Sequence, residues 1–272
     1  MNKFMNKLEK AIIDLDCGSN ELNSNLQSLI LSNGKRIRPK LAYLLISMHE
    51  EVSSSEQDNL IIAGELLHTA SLIHDDIIDE ARERRGEKAL YLTFDSKLAV
   101  LAGDLLASFA MDMICDIRNW DVVDLFQKTF QKMCNAEIKQ YCLRGDIPSV
   151  EEYLDKSKGK TGMLFAAIFS GVAILSKTID RDLMYEFGLS FGTVFQIKND
   201  LKSFLDKENS NDRKNGVLTL PDIYFKQCDS ELLAIEKTKD FIDNEKKKMY
   251  LMLSKFSDNK YRQEIVRIIE EL

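Results

Sequence analysis

The chain has 272 residues, 44% of them hydrophobic, which is enough for a sizeable core in one large domain or two small ones. Its formal net charge of −7 argues against a general nucleic-acid-binding protein. The five cysteines are odd in number and widely spaced, and no CxxC pair points to a zinc site or a redox motif. We therefore expect reduced core thiols and a cytoplasmic protein.

The spacing of apolar residues predicts an all-α protein. Residues 1–17, MNKFMNKLEKAIIDLDC, have an amphipathic helical pattern without the long apolar segment of a signal peptide. Pro39 is expected to open a helix after the basic turn SNGKRIR. Apolar residues then recur at spacings of three and four, and alternation with a period of two is hardly visible. We predict a single domain over residues 1–272, a bundle of about ten or more helices.

The segment LIHDDIIDEARERRG, residues 72–86, places three aspartates inside an apolar run. Buried carboxylates are costly unless they are paired, protonated or bound to a cation. On a helix, Asp75 and Asp79 share a face, and their repulsion is relieved if a divalent cation sits between them. Carboxylate oxygens suit Mg²⁺, which is usually shared with substrate phosphates. A DDxxD motif that stands alone is more often a solvent-exposed acidic helix end.

Basic residues near this acidic segment favour the metal interpretation. Arg84 and Arg85 follow it directly, and arginine side chains match phosphate oxygens. Two further basic turns are GKRIRP, residues 34–39, and KSKGKTG, residues 156–162. Each of these would be a solvated surface if it stood alone. Together with the aspartates, they indicate a site for a magnesium–diphosphate group.

Three other segments complete the predicted organisation. The longest apolar run, residues 98–114, is interrupted by Asp104 and Asp112 and is short for a membrane span, so a buried core helix is predicted. GDIPS, residues 145–149, is predicted to be an interhelical loop with Ser149 as the N-cap of the next helix. The polar run DKENSNDRKNG, residues 206–216, is predicted to be a loop.

A second polar constellation lies in FGTVFQIKNDLKSF, residues 191–204. Gln196, Asn199, Asp200 and Ser203 step by three and four residues and are predicted to share one helical stripe. Without context, such a stripe is simply the solvated face of an apolar helix. Together with the aspartate segment, it becomes a candidate for the opposite wall of the same cavity.

The motifs, taken in their order along the chain, resemble those of the trans-isoprenyl (polyprenyl) diphosphate synthases. The matching segments are GKRIRP at 34–39, ELLHTASLIHDDIIDEARERRG at 65–86, LAGDLL at 101–106, GKTG at 159–162 and FQIKND at 195–200. The resemblance implies an all-α bundle around a central cavity, usually a homodimer. The net charge and the length of the apolar run predict no nucleic-acid partner and no transmembrane segment. The resemblance also implies a Mg²⁺-dependent prenyltransferase that condenses isopentenyl diphosphate with an allylic diphosphate and releases pyrophosphate.

The resemblance further implies a role for each matching residue. The predicted magnesium ligands are Asp75, Asp76, Asp79, Asn199 and Asp200. The predicted allylic diphosphate contacts are Arg84 and Lys160, and the predicted isopentenyl diphosphate contacts are Lys35, Arg38, His68 and Arg85. The residues predicted to serve the reacting centre are Lys160, Thr161 and Gln196. No side-chain base is expected, because the departing diphosphate is thought to take the proton in this family.

The second motif departs from the family pattern of DDxxD. Asn199 and Ser203 stand where its first and last aspartates are usual, and Val217 replaces the usual lysine of the following GKxTLP segment. A weakened third-metal site is therefore predicted, in which Asn199 offers a carbonyl oxygen without charge.

Two alternatives remain open. A class I terpene cyclase would use Asn199 and Ser203 in a metal triad, but the third position is Lys207, and Glu208 lies one residue off. A cyclase also has no use for a second diphosphate pocket. A regulatory subunit of a heteromeric synthase usually lacks the first aspartate motif, which this chain keeps.

Product length is predicted from Ala70 and Ser71, about one helical turn before Asp75. In short-chain relatives, bulky aromatic residues form a floor at this level, or the first motif carries an insertion. The two small residues here predict an open cavity and a product longer than farnesyl, a medium- or long-chain all-trans polyprenyl diphosphate.

Overall fold

A computed structural model of the chain describes residues 2–13, 15–32, 34–49, 52–142, 145, 147–176, 178–206 and 217–272, without the side chains of residues 2 and 3. These residues are almost entirely helical, as the apolar spacing predicts. The first seven helices are α1 (Asn2–Ile13), α2 (Asn20–Leu31), α3 (Ile37–Met48), α4 (Ser55–Ile78), α5 (Leu90–Thr93), α6 (Ser96–Asp116) and α7 (Trp120–Cys142). The later ones are α8 (Val150–Ser157), a π-helix π1 (Lys158–Gly162), α9 (Met163–Ile174), α10 (Arg181–Leu205), α11 (Leu220–Cys228), α12 (Glu231–Leu253) and α13 (Lys260–Glu270).

The helices group into two compact units, one of Met1–Tyr43 with Val52–Val123 and one of Leu44–Glu51 with Asp124–Leu272. The unit boundaries fall inside α3 and α7. The all-α prediction is confirmed, whereas the single domain and its central cavity stay predictions.

In the first unit, α4 packs along α6 and carries the aspartate segment at its C-terminal end. The helix begins at a capping box in which Ser54 Oγ accepts the backbone N–H of Gln57 at 3.1 Å, and Gln57 Oε1 accepts that of Ser54 at 2.9 Å. Gly103 of α6 lies directly against His74 of α4, since a Cβ atom at that glycine would stand 2.3 Å from His74 Nε2. Glycine in the LAGD segment therefore allows the two helices to approach just before Asp75.

Helix α6 covers the longest apolar run, but it is only partly buried. Its Ala99, Ala102 and Leu106 face the interior, whereas Val100 and Leu101 are 41% and 63% exposed. Within the described ranges, it alone is long and apolar enough to cross a membrane, and core helices of soluble proteins pass the same test. The prediction of a buried core helix is thus correct for one face of α6 and wrong for the other.

In the second unit, π1 and α9 pack against α10 through small residues. A Cβ atom at Gly192 would stand 2.7 Å from Gly162 Cα, and one at Gly188 would stand 2.7 Å from Ala166 Cα. The two backbones are therefore in direct contact, which any larger side chain at these glycines would prevent. This close approach holds Thr161 of π1 opposite the Gln196 turn of α10.

Helix α9 is buried on nearly every side, as expected for a helix that is apolar all round. Its Phe165 packs on Phe191 with ring centroids 5.2 Å apart, and Phe169 packs on Phe187 at 6.1 Å. Aromatic contacts at these distances add to the free energy gained by burying the rings. These contacts stabilise the packing of α9 against α10, the helix that carries Gln196 and Asp200.

Several local predictions are resolved by the structure. Ser149 is confirmed as the N-cap of α8, where its Oγ accepts the backbone N–H of Glu152 at 3.1 Å. Helix α3 begins at Ile37, two residues before Pro39, so the proline lies in its first turn. The cysteines are free, but the prediction that they are core thiols is wrong, because Cys115, Cys134 and Cys142 lie on exposed helix faces and Cys17 and Cys228 are half-buried. Most of the predicted loop 206–216, with Lys207 and Glu208 of the cyclase alternative, lies outside the described residues.

Candidate functional site

The aspartate segment lies where α4 ends. Asp75 and Asp79 are half-buried and Asp76 is buried. Asp79 is the C-cap, and its backbone N–H donates to the carbonyl of Asp75 at 2.8 Å. Carboxylates at a helix C-terminus face the negative end of the helix dipole, which disfavours them unless a cation is near. The sequence thus concentrates negative charge where the backbone makes it least stable, as expected of a cation site.

Arg84 supplies a cation to this segment. It stands in β1 (Glu83–Arg84), which pairs with β2 (Glu87–Lys88) in a short antiparallel hairpin. Its Nε donates to Asp76 Oδ1 at 2.9 Å, and its Nη2 contacts the same oxygen. Burial raises the pKa of Asp76 despite this arginine, with the charge of Asp79 adding to the rise. The pKa of Arg84 is raised, because the bond to Asp76 and the nearby aspartates outweigh its own burial.

The donor set of the segment fits Mg²⁺. Within the part of the chain that the structure describes, no three His, Cys, Asp or Glu side chains converge as a ready-made metal cage. Mg²⁺ does not need such a cage, because it usually binds through one or two carboxylates, several waters and substrate phosphates. Asp75 and Asp79, one turn apart at a helix end, supply that number of carboxylates.

A second cluster in the first unit is strongly basic. Burial lowers the pKa of Arg38 to about 10, with Glu65 opposing and Arg85 adding to the effect. The pKa of His68 is held well below its usual range, first by burial and then by Arg38, Arg85 and Arg84. The imidazole is therefore neutral at pH 7, and the cluster as a whole favours an anion.

Arg36 and Glu65 fix the geometry of this cluster. Arg36 Nη1 donates to Glu65 Oε2 at 3.0 Å, and its Nη2 donates to the carbonyl oxygens of Ile30 and Ser32. Both charged side chains are buried, so the pair satisfies each of them. Neither residue had a predicted role, although Arg36 lies in the GKRIRP motif and Glu65 opens the ELLH motif.

Arg85 is oriented by a backbone carbonyl and a hydroxyl group at the C-terminal end of α2. Its Nη1 donates to the Leu29 carbonyl and to Ser32 Oγ, both at 3.2 Å. A Cβ atom at Gly34 would stand 3.3 Å from Arg85 Cζ, so the glycine of GKRIRP leaves room for the guanidinium. Burial and Arg36 lower the pKa of Arg85. Lys35, on the same turn, is exposed.

In the second unit, Lys160 lies in π1, and such π-helical turns are frequent at functional sites. Its ammonium is 2.7 Å from Glu137 Oε2 of α7. The two elements approach closely, since a Cβ atom at Gly159 would stand 2.7 Å from Ala136 Cβ. Glu137 was missed by sequence reasoning, because nothing in the spacing of α7 indicates a charge partner for π1.

A hydrogen-bonded chain joins four side chains of the second unit. Thr161 Oγ1 donates to Gln196 Oε1 at 2.9 Å, and Gln196 Nε2 donates to Asp200 Oδ1 at 2.8 Å. Tyr153 donates its phenolic proton to the other oxygen of the buried Asp200. The predicted stripe therefore holds for Gln196 and Asp200, whereas Asn199 is exposed on the neighbouring face.

The two positions predicted to control product length differ in exposure. Ala70 is 1% exposed and belongs to the core, whereas Ser71 is half-buried and donates its hydroxyl to the His68 carbonyl at 2.8 Å. Of the two, only Ser71 offers appreciable surface to a bound chain.

The all-α architecture agrees with the isoprenoid synthase type of fold that the sequence predicts. Residues 19–253 match the polyprenyl synthetase family, and the chain belongs to that family. It is 34% identical over 226 residues to a prenyl transferase of Cyanophora paradoxa, covering 79% of this chain and 70% of that protein. It is also 34% identical over 229 residues to the chloroplastic solanesyl diphosphate synthase 1 of Arabidopsis thaliana, covering 79% of this chain and 56% of that protein.

A solved structure extends the likeness of the fold to nearly the whole chain. The heptaprenyl diphosphate synthase of Staphylococcus aureus superposes with a TM-score of 0.86 over 99% of this chain and 95% of the other, at 23% identity. The predictions of the family and of the all-α fold are thus confirmed.

Proposed function

We propose that the protein is a trans-polyprenyl diphosphate synthase, which joins isopentenyl diphosphate to an allylic diphosphate and releases pyrophosphate. The observation that carries this proposal is that the first unit combines the Asp75–Asp79 helix end with a basic cluster of buried Arg38 and half-buried Arg84 and Arg85. The names of the relatives, prenyl transferase and solanesyl diphosphate synthase, support the same reaction class.

The basic cluster is proposed to bind the diphosphate of isopentenyl diphosphate. Lys35, Arg38 and Arg85 would contact its oxygens, with His68 as a neutral hydrogen-bonding partner whose pKa rises when the dianionic group arrives. Arg84 would contact the allylic diphosphate, for which it must share or exchange its bond to Asp76.

Asp75, Asp76 and Asp79 are proposed to hold Mg²⁺ on the allylic diphosphate. The metal would supply positive charge to the leaving group as the carbon–oxygen bond ionises. Asn199 and Asp200 are proposed as the second, weaker set, in keeping with the altered motif. Both oxygens of Asp200 already accept hydrogen bonds, so its contribution would be mainly to orient Gln196.

Lys160, Thr161 and Gln196 are proposed to serve the reacting centre. The ammonium of Lys160 would neutralise diphosphate charge, and Glu137 holds it in place until the substrate arrives. Thr161 and Gln196 are fixed to each other by their hydrogen bond, so their dipoles can face the developing allylic cation without reorganising. The proton lost from the new carbon would leave with the departing diphosphate.

The product is proposed to be longer than farnesyl. Ser71 is small and half-buried, so the level one turn before Asp75 does not carry a bulky floor residue. The solanesyl diphosphate synthase relative supports a long chain by its name. Mass analysis of the products decides this point, since farnesyl diphosphate as the sole end product would refute the open floor.

A homodimer is proposed from the exposed apolar face of α6, where Val100 and Leu101 need a partner surface. Light scattering of the purified chain measures this state directly. The predicted cytoplasmic location stays a prediction, because one relative is chloroplastic by name.

The deciding experiment is an assay of the purified chain alone with Mg²⁺, isopentenyl diphosphate and a series of allylic primers. A synthase incorporates isopentenyl diphosphate and releases pyrophosphate. A terpene cyclase would consume an allylic diphosphate in its absence, and a regulatory subunit would be inactive until mixed with a catalytic partner.

A further inference from the structure

A cleft of about 840 Å³ lies entirely within the second unit. Its wall is formed by α7, α8, π1, α10, the first residue of α9, and the start of the last described segment at Val217 and Leu218. The volume is in the range of sites that bind small molecules. Lys160, Thr161 and Gln196 are not among its described wall residues, but the cleft lies next to the proposed reacting centre, since Gly159 and Tyr153 line it.

The floor of the cleft is apolar. It is formed by Ala136, Pro148, Met163, Leu189, Val217 and Leu218. Met163 is held in place by Tyr185, whose hydroxyl donates to the thioether sulfur at 3.2 Å. A hydrocarbon chain that binds against this floor removes apolar surface from water, which favours binding, whereas a small polar ligand would gain little from the same surface.

The rim of the cleft is basic in a chain whose net charge is −7. Lys132 and Lys139 are two turns apart on one face of α7, and Lys158 stands on π1. All three are exposed, and no ion pair is found for them within the described ranges. Two carboxylates, Glu152 and Asp155, also line the wall, so the lysines outnumber the acids.

One of the two carboxylates is oriented by the protein backbone. Glu152 accepts the backbone N–H of Ser149 at 2.7 Å in the capping box of α8, which orients it to that helix end. A fourth wall lysine, Lys156, stands 5.0 Å from the centre of the Tyr153 ring. The cleft therefore presents positive charge above an apolar floor.

We propose that this cleft binds an amphiphile with one anionic head group and an apolar tail. The head would lie among Lys132, Lys139 and Lys158, where charge-assisted hydrogen bonds are available. The tail would cover Met163 and Leu189. A neutral ligand would leave the lysines unused, and a small inorganic anion would leave the floor in water.

The test is isothermal titration of the full chain with dodecyl phosphate below its micelle concentration. Mg²⁺ and inorganic pyrophosphate are present throughout, so that the proposed diphosphate site is filled. The variant carries Lys139→Glu and Lys158→Glu, and the control carries Lys239→Glu and Lys247→Glu, two exposed lysines of α12 outside the cleft. We expect binding to the wild type and the control, and binding about tenfold or more weaker in the cleft variant.

Two further ligands measure the contributions of the head group and of the tail to the affinity separately. Inorganic phosphate carries the head alone, and neutral dodecyl maltoside carries the tail alone, so both are expected to bind at least about tenfold more weakly. Equal affinity for either of them, or for dodecyl phosphate in the cleft variant, would overturn the proposal. Absence of binding would also overturn it. If dodecyl phosphate does not bind, and light scattering shows that the cleft variant is a monomer while the wild type and the control are dimers, the cleft is a contact between two copies of the chain. These outcomes do not depend on turnover, so they are distinct from failure of the proposed enzyme activity.

Discussion

The two polar motifs of the chain use their carboxylates in opposite ways. The first places Asp75 and Asp79 at the half-buried end of α4, against the negative end of its dipole and close to Arg84. The second buries Asp200 between Tyr153 and Gln196, which satisfy both of its oxygens, and leaves Asn199 exposed beside it. The charges of Asp75 and Asp79 stand at the unfavourable end of a helix dipole, which a cation would relieve, whereas both oxygens of Asp200 already accept hydrogen bonds from neutral donors.

The difference supports the proposal that the first motif, rather than the second, binds most of the metal. The second motif retains the aspartate that organises Thr161 and Gln196, while the positions usual for two more aspartates are Asn199 and Ser203. A polar network of this kind can hold the proposed reacting centre in its geometry without taking part in metal coordination.

The largest expected effect follows removal of the first motif. Asp75→Ala or Asp79→Ala should lower turnover by about a hundredfold or more, because each would remove a proposed ligand of the metal ion that stabilises the leaving group. The measurement is the steady-state rate at saturating Mg²⁺. Asp112→Ala, which removes an exposed carboxylate from α6 in the same unit, is the charge-matched control and should retain its rate. Near-normal turnover in either motif variant would contradict the assignment.

The next prediction distinguishes the roles of the two adjacent arginines, Arg84 and Arg85. Arg85→Ala should raise the KM for isopentenyl diphosphate, and Arg84→Ala should raise the KM for the allylic substrate. Each change is expected to be about tenfold or more, because a hydrogen bond to a charged group contributes about 1.5–3 kcal/mol. Melting temperatures are needed as a control, since the Arg84 variant also removes an ion-pair partner of buried Asp76. A reversed pattern of KM values would mean that the two pockets are exchanged.

Much of the fold and of the first motif could be predicted from short-range spacing. The helical period, the N-cap at Ser149 and the shared face of Asp75 and Asp79 each depend on residues within a few positions of one another. The hydrogen bond from Gln196 to Asp200 likewise spans four residues.

The partners that orient the site could not be predicted in this way. Glu65 meets Arg36 across 29 positions, and Tyr153 meets Asp200 across 47. One sequence gives no signal for such pairs, because they depend on how distant helices pack. The prediction that the cysteines are core thiols failed for a related reason, since the helical pattern near Cys134 and Cys142 did not reveal which face of α7 is exposed.

A smaller effect concerns pH. The pKa of His68 lies well below its usual value in the folded protein, so below about pH 6.5 the unfolded chain binds a proton that the folded chain does not. The free energy of unfolding should therefore fall by about 1 kcal/mol more in the wild type than in His68→Asn between pH 7.5 and 5.5. Urea denaturation at the two pH values measures this difference. Saturating pyrophosphate should reduce it, because a bound anion favours the protonated imidazole. Equal pH dependence in both proteins would show that burial and the arginines do not lower the pKa of His68 in the folded protein.

The smallest expected effect tests the second motif itself. Asn199→Asp adds a charge at an exposed position, which at a surface contributes up to about 1 kcal/mol, so half-saturation by Mg²⁺ should fall by no more than about fivefold. Asp200→Asn is the informative partner, because it alters the buried network without removing an exposed ligand. If Asp200 mainly orients Gln196, this variant should lose about 1–3 kcal/mol of stability and some turnover, while its magnesium titration stays unchanged. The opposite pattern, with a weaker magnesium titration in Asp200→Asn and no change in Asn199→Asp, would assign Asp200 to the metal and remove the contrast between the two motifs.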